Sequence, residues 1–267
     1  MARIIVITSG KGGVGKSTIT INLGYALSSC GFKVCLIDSD FGLKNLDVMM
    51  GLENRIIYDL RDVIEGRCTL SQILVKDKRR ESLFLLPACK SLSFEGLNMK
   101  YMTNMIEKLQ SEFDYILIDS PAGVEKGFQY ACGLSHEAIV VVNLDVASLR
   151  DADRVIGLLL KQNVTDIHML VNKYNYEDVQ KGKSLSIKDA YEILSIPLIG
   201  IVYDDHDVIE SHNKGIPLYL NEHSIIHECF KRIVKRLNGE DIPFVKMKRR
   251  ALFDRLFKYY FLFFIIY

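Results

Sequence analysis

The sequence contains no Cys-x-x-Cys pair. Its six cysteines (Cys30, Cys35, Cys68, Cys89, Cys132 and Cys229) are scattered along 267 residues. That spacing argues against a zinc or dithiol redox site and for a reducing compartment. Tryptophan is absent, whereas Ile, Lys, Phe, Tyr and Asn are plentiful, a bias that fits an AT-rich genome such as a plastid's. Neither sign of charge dominates: 34 basic against 33 acidic side chains leave a formal +1, so bulk charge gives no pointer to nucleic acid. The terminal apolar run, Tyr259 to Tyr267, has nine residues, well short of the roughly 20 that a membrane span needs. Residues 4–7 already form an apolar run, so no signal or transit peptide is expected. The expectation is a protein that works where it is made, either bacterial or plastid-encoded. No internal repeat and no long linker interrupt the chain before Asn238. The length suffices for one large α/β domain with a substantial core.

What is present is organised around residues 9–18, Ser-Gly-Lys-Gly-Gly-Val-Gly-Lys-Ser-Thr. Gly10, Gly15, Lys16 and Ser17 hold the fixed places of G-x-x-x-x-G-K-[ST]. The preceding Arg3-Ile4-Ile5-Val6-Ile7 reads as a buried strand, and the residues that follow, through Ala26 and Leu27, read as a helix. Strand, glycine loop, helix is the context in which this pattern binds phosphate. Loop N–H groups and the helix N-terminus face the anion. The nucleotide-binding residues are therefore expected to be Gly10, Lys11, Gly12, Gly13, Val14, Gly15, Lys16, Ser17 and Thr18. Lys16 is expected on the β/γ-phosphates and the Ser17 hydroxyl on Mg²⁺.

A second strand, Lys33 to Ile37, ends at Asp38-Ser39-Asp40. Carboxylates at the C-terminal ends of strands in an open parallel sheet lie in the ligand crevice. Asp38 and Asp40 are thus expected near Mg²⁺ and the γ-phosphate. Phe41 to Asp47, with Gly42 inside it, has the look of a switch loop. Tyr115-Ile116-Leu117-Ile118-Asp119 has the form of a Walker B strand, whose Asp119 would join Asp38 in the Mg²⁺ shell. Ser120-Pro121-Ala122-Gly123 then forms a turn placed to sense the γ-phosphate. Further strands are expected at 83–86, 138–142, 167–171 and 198–202. Helices are expected around Met102 to Leu109, at 148–161, 207–213 and 224–237, and as short pieces within 55–80. Lys76 to Glu81 reads as a solvated charged turn, and the charges at Arg150 to Arg154 as the solvated first turn of their helix. Apolar strands alternating with helices imply a mostly parallel, doubly wound sheet covered on both faces, a P-loop NTPase fold in the α/β class.

Asn172-Lys173-Tyr174-Asn175 stands at a strand end where a base would lie. It departs from the guanine-reading N-K-x-D at position 175. Asn offers one acceptor and one donor group where guanine asks for two acceptors. Adenine, with the Asn172 amide on its edge, is the expectation, and hence ATP. His223 and His227 are four apart but lack a third ligand at suitable spacing, so an exposed or capping role is expected.

The tail, 241–267, is set apart from an ATPase domain over 1–240. Phe244 to Lys258 carries six basic residues against the single acid Asp254. Leu252, Phe253, Leu256 and Phe257 recur at helical spacing. A basic helix with such a face lies in a membrane interface.

Lys11, the extra lysine in Lys-Gly-Gly-Val-Gly-Lys-Ser, makes the loop similar to that of the deviant-Walker-A ATPases. Residues 38–47, Asp119 to Gly123, Arg150 to Arg154 and the basic tail resemble the members of that family that place the division septum. The resemblance covers essentially the whole chain. It implies an ATP-dependent homodimer in which Lys11 reaches the partner's nucleotide, and catalytic roles for Lys11, Lys16 and Asp40, with Asp40 positioning the attacking water. It also implies a partner surface at Asp151 and Asp153, discharge by MinE, recruitment of the inhibitor MinC where that is present, and no nucleic acid. Localisation would be peripheral, on the inner face of an anionic membrane, in bacterial cytoplasm or plastid stroma. The tail here runs longer and more aromatic than the family's, which bears on how readily it would leave a membrane. The alternative reading is a ParA-like DNA-partition ATPase. An iron–sulfur carrier of the same superfamily is a third, for which Cys89 and Cys132 lack a glycine-rich setting.

Overall fold

A computed structural model describes residues 1–40, 46–88, 99–121, 123–124 and 126–244. The expected switch-loop residues 41–45, Cys89, Ala122 and the tail residues Leu252, Phe253, Leu256 and Phe257 lie outside the described residues. The strands are β1 (Arg3–Thr8), β2 (Val34–Asp38), β3 (Val75–Lys76), β4 (Leu83–Leu86), β5 (Tyr115–Asp119), β6 (Glu137–Val142), β7 (Asp166–Tyr174) and β8 (Leu198–Tyr203). The helices before β6 are α1 (Lys16–Ser29), α2 (Leu46–Met49), α3 (Leu60–Ile64), α4 (Leu70–Ile73), α5 (Met99–Gln110) and α6 (Lys126–Gly133). After it come α7 (Val146–Lys161), α8 (Tyr176–Gln180), α9 (Ile187–Leu194), α10 (Asp207–Lys214) and α11 (Ile225–Leu237).

One sheet runs in the order β3-β4-β2-β5-β1-β6-β7-β8, parallel except for β3. The central strands are apolar on both faces, as a sheet covered twice demands. Ile4, Val6, Ile116 and Ile118 face the core shared with α5, α6, α7 and α9. Ile5, Ile7 and Leu117 face the core shared with α1 and α11. β1 lies between β5 and β6, so the chain departs in opposite directions on its two sides and a crevice opens at its C-terminal end. The register aligns Ile7 with Asp119 and Asp119 with Asp38, which brings both carboxylates beside the loop that follows β1.

Two local expectations are corrected. Helix α7 begins at Val146, before Ser148, because the Asp145 side chain accepts from the Ser148 N–H at 2.9 Å and caps the helix. Arg150 to Arg154 therefore lie beyond the first turn. The 76–81 turn is not wholly solvated. Asp77 is buried and accepts from the N–H groups of Arg79 (2.7 Å) and Arg80 (3.0 Å) and from the Tyr25 hydroxyl (2.6 Å). At the far end, residues 242–244 turn back on α11. Arg236 donates to the Ile242 carbonyl at 3.1 Å, Arg232 to that of Pro243 at 2.8 Å, and the Arg236 guanidinium lies 3.9 Å over the Phe244 ring.

Candidate nucleotide and magnesium site

The loop between β1 and α1 takes its shape from glycine and from hydroxyls. Gly15 sits at φ 103°, where a side chain is strained, and a Cβ there would meet Asn172 Nδ2 at 2.3 Å. That Nδ2 donates to the Val14 carbonyl at 2.7 Å. Ser9 Oγ donates to the Lys11 carbonyl at 2.8 Å, and Lys173 Nζ to that of Gly13 at 2.9 Å. Gly10 packs directly on α7, since a Cβ there would meet Asp151 backbone at 2.4 Å. Helix α1 starts with no side-chain cap, so its N-terminal dipole faces the loop without a carboxylate of its own.

Lys16 is 8 % exposed, with Nζ 3.1 Å from Ser9 Oγ. Burial lowers its pKa, and Asp119 and Asp40 oppose that shift. Asp119 is 3 % exposed. It accepts from Ser17 Oγ at 2.7 Å and from Thr20 Oγ1 at 3.0 Å. Burial pushes its pKa up to about 7, and neighbouring Asp38 adds to the rise against the pull of Ser17, Lys16 and Thr20. Asp38, also buried, accepts from the Asp40 N–H at 3.1 Å and the Leu46 N–H at 3.3 Å. Ser39 binds the Asp119 carbonyl through N–H (3.2 Å) and Oγ (2.6 Å), which locks the ends of β2 and β5 together. Asp40 is half-buried, and burial raises its pKa against the pull of Lys16.

Two buried carboxylates and a serine hydroxyl beside a phosphate loop form a hard-oxygen donor set of the kind Mg²⁺ takes. The Asp119 carboxyl carries too little compensating charge to stay fully ionised at neutral pH, and a divalent cation would supply it. The donors and the loop therefore fit a magnesium nucleotide.

Of the expected residues, Gly10, Gly12, Gly13, Val14, Gly15, Lys16, Ser17, Thr18, Asp38, Asp40, Asp119 and Asn172 gather at this one crevice. Lys11 stands apart, exposed and without an ion pair among the described residues. Asp153 is exposed on α7 and Asp151 half-buried, its backbone against Gly10. Asn175 is not a base reader here. Its Oδ1 accepts from Glu177 N–H at 2.9 Å and Asp178 N–H at 3.3 Å as the cap of α8. His227 binds the Tyr219 carbonyl at 2.7 Å and stacks on its ring, whereas His223 is exposed. The Cys132 thiol is buried, with its pKa pushed up to about 12 by burial, an inert setting for a cluster ligand. Sequence reading missed His212, whose Nε2 shares a hydrogen bond with Thr18 Oγ1 at 3.2 Å. The two residues are 194 positions apart, so only the fold brings them together.

The profile of the CobQ/CobB/MinD/ParA nucleotide binding domain matches residues 5–218. The septum site-determining protein MinD of Synechocystis is 49 % identical over 246 residues, 92 % of each chain. Among solved structures, the MinC:MinD cell division protein complex of Aquifex aeolicus contains a chain 45 % identical to this one. The TM-score is 0.85, over 92 % of this chain and 99 % of that one. MinD of Pyrococcus horikoshii, solved as a complex with Mg-ADP, is 28 % identical at a TM-score of 0.79, over 90 % of this chain and 97 % of its own.

Proposed function

The chain belongs to the CobQ/CobB/MinD/ParA nucleotide-binding family and, within it, to the septum site-determining MinD proteins, and we propose that it is an Mg²⁺-dependent ATP switch. Its role is placement of the division septum, carried out by a nucleotide-binding ATPase core. In the proposed cycle it dimerises on ATP, occupies a membrane surface as a dimer, and leaves after hydrolysing ATP to ADP and phosphate. The observation that carries the reading is the buried carboxylate pair Asp38 and Asp119 beside Lys16 and an uncapped α1. A DNA-partition role is less favoured, since the basic run is interleaved with apolar residues at helical spacing.

Each residue then has a physical task. Lys16 would neutralise charge on the β/γ-phosphates, while Ser17, Asp38 and Asp119 would hold the Mg²⁺ directly or through water. Asn172 Oδ1, which has no partner among the described residues, would accept from the exocyclic amine of adenine. Asp40 would orient the attacking water. Lys11, free in solvent, would cross to the partner's phosphates. We place the membrane contact in 241–267, through Leu252, Phe253, Leu256 and Phe257. We place MinE, and MinC where present, on α7 at Asp151 and Asp153. Gly10 abuts Asp151, so a partner seated there presses on the phosphate loop itself. The site of action would be the inner membrane face in bacterial cytoplasm or plastid stroma. No helix among the described residues is long and apolar enough to cross a membrane.

Light scattering tests the switch: the parent should be a dimer with MgATP and a monomer with ADP, and a monomer in both would overturn it. Lys11→Ala should stay monomeric with MgATP, with nucleotide affinity near the parent's and no partner-stimulated hydrolysis. A normal ATP dimer with normal stimulated turnover would remove the role in trans. Asp40→Ala should bind MgATP, dimerise and stay on anionic liposomes, with turnover down by roughly 10²–10⁴, the range lost with a positioned proton acceptor. Hydrolysis at the parent rate would reduce Asp40 to a turn residue.

A further inference from the structure

The turn between β3 and β4 carries a side chain that the proposed cycle leaves without a task. Arg79 is only 21 % exposed, and both of its terminal nitrogens are held. Nη1 donates to the Gly215 carbonyl at 2.8 Å and Nη2 to the Met50 carbonyl. Nη2 also lies 3.2 Å from Asp77 Oδ2, and the guanidinium lies 5.5 Å from the Tyr25 ring centre. Asp77 is itself fixed by Tyr25, a residue of α1. One planar fork therefore joins the end of α2, the end of α10 and the body of α1. Only an Arg spans two carbonyls and a carboxylate in one rigid plane.

The two ends it joins touch each other. Gly215 caps α10 in a left-handed conformation, and a Cβ there would meet Gly51 Cα at 2.6 Å. From this junction two paths lead to the nucleotide site. Along α2, Met50 N–H donates to the Leu46 carbonyl at 3.0 Å, and Leu46 N–H donates to Asp38 Oδ2. Along α10, His212 meets Thr18 on the first turn of α1. Asn22, on the same face of α1, donates to the Thr18 carbonyl at 2.7 Å and accepts from Tyr219 N–H at 2.7 Å, which ties down the chain just after α10.

We propose that Arg79 is a positioning residue for the nucleotide site, clamping α2 to α10 so that Leu46 holds the Asp38 carboxylate and His212 holds Thr18. The part of the proposal that concerns turnover rests on the ATPase reading above. The part that concerns the clamp does not. Without the clamp, α2 drifts and Asp38 loses the amide donor on Oδ2, so the carboxylate placed for Mg²⁺ is held less firmly, by Asp40 N–H on Oδ1. Binding through Lys16 and the phosphate loop survives.

The test compares full-length parent, Arg79→Ala and Gly215→Ala, the last of which forces the same junction apart from the α10 side. Arg67→Ala, which removes an exposed Arg paired with Asp62 and Glu65, controls for loss of charge. Hydrogen exchange of the nucleotide-free proteins should be about tenfold faster over 46–50 in both junction variants and unchanged in the control. Steady-state hydrolysis should show kcat down about tenfold with KM for ATP within about threefold. The Mg²⁺ concentration for half-maximal rate should rise several-fold. A merely structural Arg79 would lower the melting temperature and leave kcat per folded molecule and the Mg²⁺ requirement unchanged. If Arg79→Ala does not fold, Gly215→Ala decides alone. Unchanged exchange over 46–50 overturns the proposal. So does faster exchange with unchanged kcat and Mg²⁺ requirement. A parent that hydrolyses no ATP would instead sink the ATPase reading, and exchange over 46–50 would still judge the clamp.

Discussion

Lys16→Ala is expected to abolish MgATP binding at concentrations where the parent is saturated. Lys16 is 8 % exposed and points at Ser9 across the phosphate loop. It is the buried cation that faces Asp119 and Asp40 from α1. Burial alone weakens its charge, so the protein pays a cost in the free state to keep an ammonium there. A polyphosphate entering the loop would relieve that cost. Removing one partner of a buried charge pair typically costs about 2–5 kcal/mol. At about 1.4 kcal/mol per decade, that is a loss of roughly 30-fold to several thousand-fold in affinity. Lys11, exposed on the loop, cannot substitute from its own subunit. The variant should fold, because the loop is held independently by Ser9, Lys173 and Asn172. Calorimetric titration with MgATP reads the effect directly. An unchanged affinity would remove Lys16 from the phosphate site.

The second large effect is expected in the tail. Phe253→Asp together with Phe257→Asp should release the protein from anionic liposomes while MgATP affinity stays at the parent value. Each substitution removes a ring worth about 1.5–3 kcal/mol of burial and places a carboxylate near acidic lipid. The basic residues add about 1 kcal/mol each near an anionic surface, so binding of the parent should weaken with salt. It should weaken less steeply than a purely electrostatic contact, because the apolar term is unscreened. Ordering the segment as a helix consumes much of the gain, so one copy holds marginally and two copies in a dimer hold well. Deleting Tyr259 to Tyr267 should make retention depend more strongly on ATP, since a lone monomer would then lose its extra apolar grip. If the double variant instead melts at a lower temperature and keeps its lipid binding, the segment packs on its own domain.

The parts of the site that could be read from sequence were those written locally. An apolar run ending in a carboxylate gave Asp38 and Asp119, and the parallel sheet then aligned them without further instruction. The phosphate loop was equally legible, because its glycines and Lys16 stand at fixed offsets. Charges at a turn were misleading. Asp77 and Arg79 have the look of solvated residues, and nothing local reveals that Tyr25, Met50 and Gly215 arrive from three distant elements to bury them. Asn175 shows the converse case. Its departure from N-K-x-D set guanine aside, and its Asn-x-x-Asp spacing is a helix-start signal, the role it fills at the head of α8. Strand β3, two residues long and antiparallel, is too short to leave a period. The Thr18–His212 contact has no local trace at all, since its partners meet only once α10 has docked.

Co-sedimentation of the full-length chain with anionic liposomes, in Mg²⁺ with ATP, ADP or no nucleotide, joins the nucleotide site to the tail in one measurement. Retention should be high with ATP and fall several-fold with ADP or without nucleotide, as expected when two weak anchors act together only in the dimer. Lys16→Ala and Lys11→Ala should both behave like the parent without nucleotide. Equal retention of the parent under all three conditions, or retention in ATP that survives Lys16→Ala, would contradict a membrane switch driven by this site.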